Sequence, residues 1–447
     1  MFLVAASALS IAALMVAQEP RQQGPALGAS GEAGLAKLIA ATSKESRACI
    51  KCHENGAAPV VVEQWAQSRH AENGIGCYEC HQADKADKDA FQHNGFTISV
   101  LVTPKDCGQC HDQETKEFEA SHHAKAAEIL GSLDNVLGDV VEGPPALNMA
   151  CAQCHGSTVK ILAGGKPDPA TWPNEGIGRI NPDGSKGSCC VCHSRHTFAV
   201  SIARQPESCG YCHLGPDHPQ EEIYAESKHG VTYRALIAKM NLDSGSWVLG
   251  KDYNAAPTCA TCHMGATKDL PATHDVGTRL SWTLRPEVSI RQQAWQQKRN
   301  DMKKVCLNCH ASSWVNNFYT QYDSAVDLYN TKFGEPAKAI MAKLQAAGKL
   351  GATPFSKKIQ WDYFEMWHHQ GRRARMGAAM MGPDYVQWHG FYEVAKTFYS
   401  EFLPEAEALL PGVTAEVVNA PENQWLKGLS QEDRDKVKEY YQKRYGE

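Results

Sequence analysis

The chain of 447 residues carries a formal net charge of −5, and 21% of its residues are charged. This slight acidity argues against the basic patch of a nucleic-acid-binding protein, so we expect no nucleic-acid partner. The length alone would suit two or three ordinary domains. The 17 cysteines and 19 histidines are what set the composition apart.

The chain begins with an apolar run over residues 2–17, which is followed by the polar stretch 18–21. The length of this run and the small residues at its end are typical of a secretory signal peptide rather than of a membrane span. No later segment is long and apolar enough to cross a bilayer. We therefore predict a signal peptide over residues 1–17, a mature chain without a transmembrane span, and export to the periplasm or an equivalent extracytoplasmic compartment.

After weak helical patterns over residues 28–47 and 60–70, the dominant feature is a five-residue pattern, Cys-x-x-Cys-His, which occurs eight times. In this pattern two thiols form thioether bonds to a c-type haem and the imidazole binds its iron from one face. Structural zinc also uses Cys-x-x-Cys pairs, but zinc gives no reason for a histidine after every second cysteine. We therefore predict eight covalently attached c-type haems. The motifs, numbered in chain order, are Cys49/Cys52/His53, Cys77/Cys80/His81, Cys107/Cys110/His111, Cys151/Cys154/His155, Cys189/Cys192/His193, Cys209/Cys212/His213, Cys259/Cys262/His263 and Cys306/Cys309/His310.

The spacing of the motifs predicts the domain organisation. They run almost evenly from Cys49 to His310, so haems supply much of the apolar core, and residues 18–310 are predicted to form one octahaem-binding domain. The leftover cysteine, Cys190, is interpreted as a bystander. Residues 156–188 are rich in glycine and proline and are predicted to form a loop, which either walls a substrate pocket or simply connects two motifs.

After His310 the cysteines stop and the pattern becomes helical. Helices are predicted over residues 313–344, 357–381, 388–410 and 431–444, which together make residues 311–447 a C-terminal helical domain. Aromatic stripes in these helices are interpreted as packing surface. The predicted fold class is mainly α: a multihaem cytochrome c fold with little β structure and a C-terminal helical bundle.

Eleven histidines lie outside the motifs and are candidates for the second axial position of each haem iron. Taken one by one along the chain, they are His70, His93, His122, His123, His196, His218, His229, His274, His368, His369 and His389. Two adjacent histidines cannot easily serve two haems, so His122/His123 and His368/His369 each count once. With His70, His93, His196, His229 and His274 this gives seven distal ligands for eight haems, which would leave one iron open.

The count permits an open iron without requiring one, because His218 and His389 could each fill the eighth place. His218 follows Asp217, and a carboxylate beside an imidazole orients the ring and holds a proton near neutral pH. Proton delivery therefore suits His218 better than iron ligation. The alternative, that His218 is the eighth axial ligand, stays open at this point.

At these residues the chain resembles the octahaem hydroxylamine oxidoreductases. The resemblance is carried by the eight motifs together with Ser68-Arg69-His70-Ala71, His193-Ser194-Arg195-His196-Thr197-Phe198, Asp217-His218 after the sixth motif, Ser227-Lys228-His229-Gly230, and the run with His274, Arg279 and Trp282. It implies seven bis-histidine haems and a five-coordinate catalytic fourth haem, held by Cys151, Cys154 and His155. It also implies that Asp217 and His218 line the distal pocket, and that the protein forms homotrimers.

One departure from the family bears on the direction of catalysis. The oxidising members tie their catalytic haem to a tyrosine of the neighbouring subunit, in a Pro-Gly-Gly-aromatic-Thr-Tyr segment. The comparable region here, residues 380–390, is shorter and lacks the double glycine, and its tyrosine, Tyr385, sits two residues after Pro383. The chain therefore looks like the branch without the cross-link, whose members reduce nitrite, with Tyr385 kept as a candidate catalytic residue that could still reach a haem edge.

The expected activity is therefore reduction of nitrite to nitric oxide, or to hydroxylamine or ammonium if more electrons arrive, with the other haems carrying electrons. The small inorganic nitrogen substrate would be joined by a redox partner such as a small cytochrome, and by further copies or a second subunit. The first alternative is hydroxylamine or hydrazine oxidation at a cross-linked haem. The second is a non-catalytic electron conduit in which every iron has two axial ligands.

Overall fold

The computed structural model describes residues 32–130 and 136–446. The predicted signal peptide lies outside these residues. Within them, no helix is both long and apolar enough to span a membrane. The region that carries the motifs consists of short helices joined by long connections. Its α-helices are Glu32–Ala41, Lys44–His53, Pro59–Ala66, Arg69–Glu72, Cys77–His81, Pro104–Cys107, Asp112–Ala120, Ala126–Ile129, Pro144–Ala146, Ala152–His155, Val200–Ala203, Pro206–Gly210, Gln220–Glu226, Lys228–Leu236, Cys259–His263 and Trp295–Cys306.

Several motifs form the last turn of a short helix, which sets their geometry. Lys44–His53, Cys77–His81, Ala152–His155 and Cys259–His263 all end on the motif histidine. In a helix, residues four apart differ by only about 40° around the axis, so the first cysteine and the histidine of a motif lie near one face. Polar caps begin two of these helices: Ser43 accepts a hydrogen bond from the Ser46 amide, and Thr258 accepts one from the Thr261 amide.

The β structure in the described ranges is confined to antiparallel two-stranded ribbons. They pair Phe91–His93 with Phe96–Ile98, Ile161–Leu162 with Lys166–Pro167, and Trp282–Thr283 with Ile290–Arg291. The second ribbon corrects the prediction that residues 156–188 are loop throughout, because Gly164 and Gly165, both with positive φ, close a tight turn there. Short 3₁₀-helices occur at Cys189–Val191, Ile237–Lys239 and Pro421–Lys427.

Beyond the eighth motif the chain forms long helices, as predicted. The α-helical segments are Ser312–Tyr329, Glu335–Ala346, Lys358–Phe364, Gly371–Met380, Pro383–Val386, Glu393–Thr397, Leu403–Leu409, Ala415–Asn419 and Gln431–Tyr445. Single π-helical turns join most of them, so three predicted helices continue over residues 312–346, 358–380 and 383–409. The π-helical turns are Asn330–Gly334, Glu365–Gln370, Gln387–Tyr392 and Phe398–Phe402 here, with Leu137–Glu142 and Leu147–Cys151 near the fourth motif.

These C-terminal helices share an aromatic core that includes Ile359, Val394, Phe398 and Phe402, all fully buried. The helix Gly371–Met380 packs against Ser312–Tyr329 on one side and against Gln220–Glu226 on the other. At Gly371 a methyl group would lie 2.4 Å from the Tyr329 ring, so only glycine permits this close approach. The predicted fold class, mainly α with a C-terminal helical bundle, is confirmed, and one helix of the bundle reaches into the motif-bearing region.

Candidate multihaem site and active site

All eight motifs contribute residues to the wall of one continuous cavity of about 4120 Å³. A pocket for one small molecule has roughly 300–1,000 Å³. Most of the lining surface is apolar, and its polar part includes histidines, the motif thiols and scattered charged side chains. A set of large, flat, mostly apolar groups fits such a space, so the cavity suits several haems in mutual contact.

One motif cysteine, Cys52, lies outside this wall. Cys49 and His53 of the same motif line the cavity, whereas Cys52 is exposed and contributes nothing to the lining. The helix Lys44–His53 accounts for the difference, because residues advance by about 100° around a helix axis. With Cys49 and His53 turned toward the cavity, Cys52 falls to one side of them, toward solvent. The predicted attachment of haem at Cys52 is not tested by this position and stays a prediction.

The exposed position of Cys52 bears on how the first haem is attached. The Cys49 thiol and the His53 imidazole are in place for one thioether bond and one axial ligand. A second thioether requires the Cys52 side chain to turn toward the cavity. Haem binding by Cys52 therefore stays a prediction, whereas the second cysteine of each other motif, from Cys80 to Cys309, already lines the cavity.

Within the cavity, imidazoles face each other in pairs. Two imidazoles that bind one iron from opposite faces, with metal–nitrogen bonds of about 2.0 Å, have ring centres roughly 6.3 Å apart. Six motif histidines have another histidine at this separation. The ring-centre distances are 6.2 Å for His53–His93, 6.5 Å for His81–His196, 6.2 Å for His111–His70, 6.5 Å for His193–His274, 6.1 Å for His213–His123 and 6.0 Å for His310–His229. These residues could hold both axial positions of six haems.

Local structure explains how some of these distal histidines are presented. His93 ends the first strand of a ribbon whose turn, Asn94-Gly95, has positive φ at both residues, as a tight hairpin requires. His229 lies in the first turn of a helix that Ser227 caps by accepting a hydrogen bond from the Gly230 amide. His70 stands in the same relation to Ser68. The recurring serine two residues before the histidine therefore fixes the ring position at a helix start.

Burial keeps these imidazoles neutral, which is the form that binds iron. It lowers the pKa of His193 and of His123 to about 4, with smaller contributions from neighbouring histidines. Burial also lowers the pKa of His70, His229 and His274. Ligation at these positions should therefore not require deprotonation at neutral pH.

The distal assignment at His229 can be tested directly. Replacing His229 by alanine should convert one low-spin haem to high-spin, because the imidazole opposite His310 would be lost. Electron paramagnetic resonance of the oxidised protein would show the new high-spin signal. Lys228→Ala, which changes the neighbouring exposed residue, should leave the spectrum unchanged; an unchanged spectrum in the His229 variant would contradict the assignment.

Two histidines compete for the position opposite His213. The His218 ring lies 5.9 Å from it and the His123 ring 6.1 Å. His123 also interacts electrostatically with His263 of the seventh motif, so it lies between two motifs. The neighbouring His122 interacts instead with Arg285 and Asp275.

The remaining candidate histidines lie on the C-terminal helices. The His368 ring is buried and stacks on Phe364 at 4.3 Å. The Nδ1 atom of His369 is hydrogen bonded to the Glu365 carboxylate, one helical turn away. His389 is half exposed and lies close to the carboxylates of Asp384 and Glu393. The latter two rings are thus engaged by carboxylates.

The motifs are not neighbours in the order in which they occur in the chain. The pKa of a motif thiol is shifted by a thiol of another motif in three places, which shows that Cys107 lies close to Cys189, Cys154 close to Cys212, and Cys209 close to Cys259. The fourth motif therefore adjoins the sixth rather than the fifth, and the sixth also adjoins the seventh. These thiols would hold the haems of the fourth and sixth motifs, and of the sixth and seventh, close to each other.

The wall around the fourth motif is built by close backbone packing. Gly156, directly after His155, has φ +87°, and a side chain there would collide with the Arg179 amide at 2.4 Å. This brings the segment 174–179 against the motif, with Trp172, Ile177 and Arg179 on the cavity wall. The loop that follows the fourth motif therefore does line the cavity.

The predicted acid–base pair, Asp217 and His218, lies near both the fourth and the sixth motif, with the His218 ring 5.9 Å from that of His213. Asp217 is close enough to interact electrostatically with the Cys154 thiol. Its Oδ2 atom is 3.4 Å from Nε2 of His218 and 3.3 Å from a guanidinium nitrogen of Arg372. Asp217, His218 and Arg372 all line the cavity. The Asp217 carboxylate, the His218 imidazole and the Arg372 guanidinium thus lie together on the cavity wall near Cys154.

Tyr385 lies elsewhere within this single chain. Its ring is 5.6 Å from that of His389, and its phenol interacts with Glu222, Glu226 and Asp384. Residues on both sides of it, Pro383 and Val386, contribute to the cavity wall. The chain alone therefore does not bring Tyr385 to the Asp217–His218 pair, and its predicted role stays a prediction.

Sequence reasoning missed Arg372, which lies 155 positions from Asp217 in a segment interpreted as packing surface. No local motif marks it. The available signal is compositional. Arg372, Arg373 and Arg375 lie close together in the sequence of one helix, and two of them are buried. Arginine is rarely buried without an anionic partner, so such a cluster could have pointed to a charged site.

Comparison with known proteins points to multihaem cytochromes, as the motifs do. A family model described as seven times multi-haem cytochrome CxxCH matches residues 180–355. One described as cytochrome c554 and c-prime matches residues 28–82 and 106–194. A curated protein of Kuenenia stuttgartiensis, a probable nitrite reductase-hydroxylamine oxidoreductase fusion protein, is 23% identical over 76% of this chain. The chain spans only 49% of that protein's length.

Two solved structures share the fold. A hypothetical multiheme protein superposes with a TM-score of 0.74 at 24% identity, covering 86% of this chain and 98% of that one. A chain of a reducing HAO-like protein complex of Kuenenia stuttgartiensis superposes with a TM-score of 0.62 at 20% identity, covering 86% and 88%. With the motif-lined cavity, the two family models make the chain a multihaem c-type cytochrome with covalently bound haem, similar to a curated nitrite reductase-hydroxylamine oxidoreductase fusion protein and sharing the fold of an HAO-like protein.

Proposed function

We propose that the protein carries eight c-type haems and reduces nitrite at the haem held by Cys151, Cys154 and His155. The observation that carries the proposal is the group of Asp217, His218 and Arg372 beside Cys154. A pure electron carrier needs no such group, because outer-sphere electron transfer moves no protons. Reduction of an oxyanion does need it, because each oxygen must leave as water.

When bound, the fourth haem supplies an iron that holds nitrite and passes it electrons. The protein's own residues supply the protons. Conversion of nitrite to nitric oxide and water consumes two protons and one electron. Asp217 and Nε2 of His218, 3.4 Å apart, form a carboxylate–imidazole pair that holds a proton and releases it toward the leaving oxygen. Further protons and electrons would extend the reaction to hydroxylamine or ammonium.

We assign His123 rather than His218 to the haem of the sixth motif. Nε2 of His218, the nitrogen that commonly binds haem iron, faces the Asp217 carboxylate. His123 is deeply buried, with its pKa lowered to about 4, and has the same separation from His213. This leaves His218 available for proton transfer at the fourth haem.

The thiol contacts support a route for electrons to the fourth haem. Cys154 lies close to Cys212, so the fourth motif adjoins the sixth. Cys209 lies close to Cys259, so the sixth motif also adjoins the seventh. In the proposed enzyme, the residues of the sixth motif would hold a haem near the catalytic one, where it could supply electrons. A redox partner such as a small cytochrome would deliver them to the outer haems, in an extracytoplasmic compartment where attachment takes place.

We further propose that the chain works as a homotrimer or with a second subunit. One solved relative is a chain of a reducing HAO-like protein complex. Near the fourth motif, Val140 and Met149 are more than 70% exposed, which is unusual for apolar side chains beside a reactive site. A neighbouring subunit that covers this surface would also shield the fourth haem from water.

The test combines spectra with activity. The reduced protein should show an ordinary c-type spectrum with a high-spin component, and it should consume nitrite only when a reductant is present. An additional band to the red of the Soret peak, together with hydroxylamine oxidation, would indicate a cross-linked haem and contradict nitrite reduction. Denaturing mass spectrometry would show such a link as covalently joined subunits. Absence of any high-spin haem would instead favour the electron conduit.

A further inference from the structure

The C-terminal bundle contributes one buried cation to the surroundings of the fourth motif. Arg372 lies at the start of the helix Gly371–Met380 and is only 8% exposed. Its Nε atom donates to the backbone oxygen of Arg285 at 3.0 Å, which fixes the plane of the guanidinium. Nη1 then lies 3.3 Å from Oδ2 of Asp217. The charge is therefore held rigidly at the cavity wall.

Other hydrogen-bond donors lie around the same point. The Arg372 guanidinium is 5.1 Å from the centre of the Trp367 ring. Trp367 is 8% exposed and lines the cavity, yet its indole N–H finds no acceptor among the described residues. The buried Nδ1 atom of His218, which is a donor when it carries a proton, likewise has no partner within the described chain. Buried polar groups of this kind are normally hydrogen bonded, so these atoms are available to a ligand with acceptor atoms.

An acceptor that satisfies these donors beside a buried guanidinium is most simply an anion. Charge-assisted hydrogen bonds from arginine to small oxyanions are stronger than neutral ones, and the low dielectric of a buried site strengthens them further. Nitrite is an anion, whereas hydroxylamine and nitric oxide are neutral near neutral pH. Asp217 alone would repel an anion at this site, and the adjacent Arg372 cancels that repulsion.

We propose that Arg372, assisted by the Trp367 indole N–H, is the specificity-determining group that makes the cavity beside Asp217 and the fourth motif bind small oxyanions in preference to neutral ligands. This inference rests on the proposed function and deepens it by naming what selects the substrate. The helix Gly371–Met380 thus supplies the group that recognises the anion, whereas Asp217 and His218 supply protons.

The experiment measures ligand binding to the oxidised holoprotein rather than turnover. Nitrite and, separately, nitric oxide are titrated while the high-spin absorbance is followed. In Arg372→Gln, nitrite affinity should fall about 10- to 100-fold, the loss expected for one charge-assisted hydrogen bond, whereas nitric oxide affinity should stay within about twofold. Trp367→Phe, which removes only the N–H, should weaken nitrite binding by a smaller factor of about 3 to 10.

The chain offers a matched control in the next residue. Arg373 forms an ion pair with Glu393 and donates to the His389 backbone oxygen, on the other side of the helix. Arg373→Gln removes the same charge from the same helix and should leave both affinities unchanged. Arg372→Lys keeps the charge without the forked geometry, so nitrite affinity should fall to an intermediate value.

The outcomes separate this inference from the proposed function. If the wild type binds neither ligand, the open haem and the proposed function fail together. If the wild type binds both and Arg372→Gln binds nitrite as tightly as the wild type, only this inference is overturned; Arg372 would then serve another anion, such as a haem propionate. If Arg372→Gln loses both ligands, Arg372→Lys decides. An Arg372→Lys variant that binds nitrite as tightly as the wild type would overturn the inference. One that binds nitrite more weakly but keeps its nitric oxide affinity would support it.

Discussion

Replacing His218 by alanine should lower the nitrite-reduction rate by about 10² to 10⁴, the range that a positioned acid–base group contributes. The reason is that Asp217 would lose the imidazole 3.4 Å away that completes the proposed proton-donating pair. Asp217→Asn should give a loss in the same range, because an amide cannot release a proton. Steady-state rates with nitrite and a chemical electron donor provide the measurement.

The haem spectrum of the His218 variant decides whether that loss has the proposed cause. Because we assign His123 to the sixth haem, the high-spin component should be the same as in the wild type. A newly high-spin haem would show that His218 is an axial ligand, in keeping with its 5.9 Å separation from His213. The surface pair His389–Asp384, 3.5 Å apart, is the matched control; His389→Ala should change neither the rate nor the spectrum.

Replacing Phe398 by alanine should lower the free energy of unfolding by about 3–5 kcal/mol, as is usual when a buried aromatic ring is removed and a cavity remains. Phe398 is fully buried, and its ring packs edge-on to Phe333 at 5.4 Å and parallel to Phe402 at 6.0 Å. Chemical denaturation followed by far-ultraviolet circular dichroism measures the change. Haem absorbance serves as a second probe.

The control for this variant lies two residues further along the helical segment. Ser400 is exposed, and its hydroxyl donates only to the Lys396 backbone oxygen. Ser400→Ala should change the unfolding free energy by no more than about 0.5 kcal/mol. A loss in the Phe398 variant as small as that of Ser400→Ala would show that the C-terminal core does not stabilise the fold as its packing indicates.

Local patterns were enough to predict much of this molecule. The C-terminal helices over residues 312–346 and 358–380 agree with prediction to within a few residues, because helical periodicity and nearby prolines are encoded within each segment. The attachment motifs are equally local, since both thiols and the imidazole of a haem lie within five residues. Fold class and cofactor type follow from such signals.

What depends on distant contacts was not predictable. The spatial order of the motifs, with Cys154 beside Cys212, results from how the connections cross and leaves no trace in the spacing. The exposure of Cys52 likewise depends on how its helix is rotated against the cavity, which the motif itself does not encode. The choice between His123 and His218 as the histidine opposite His213 is equally non-local, because both rings reach nearly the same distance from His213, 6.1 and 5.9 Å.

The Asn94-Gly95 turn that presents His93 is a different case, because it had a local signal. Asn-Gly between apolar residues is typical of a hairpin. The ribbon Phe91–His93 with Phe96–Ile98 was therefore within reach of sequence reasoning. Its role in placing His93 opposite His53 was not, since the two residues belong to separate segments.

The position of the helix Gly371–Met380 has a consequence for how such proteins diversify. Arg372 faces Asp217, and one turn later the fully buried Arg375 donates to the Ser289 hydroxyl and to the Pro286 backbone oxygen, which anchors the helix. Every attachment motif lies before residue 311. If the proposed roles hold, electron conduction and choice of substrate are encoded in different stretches of the chain, so exchange of one anchored helix could give the same haem array a new chemistry.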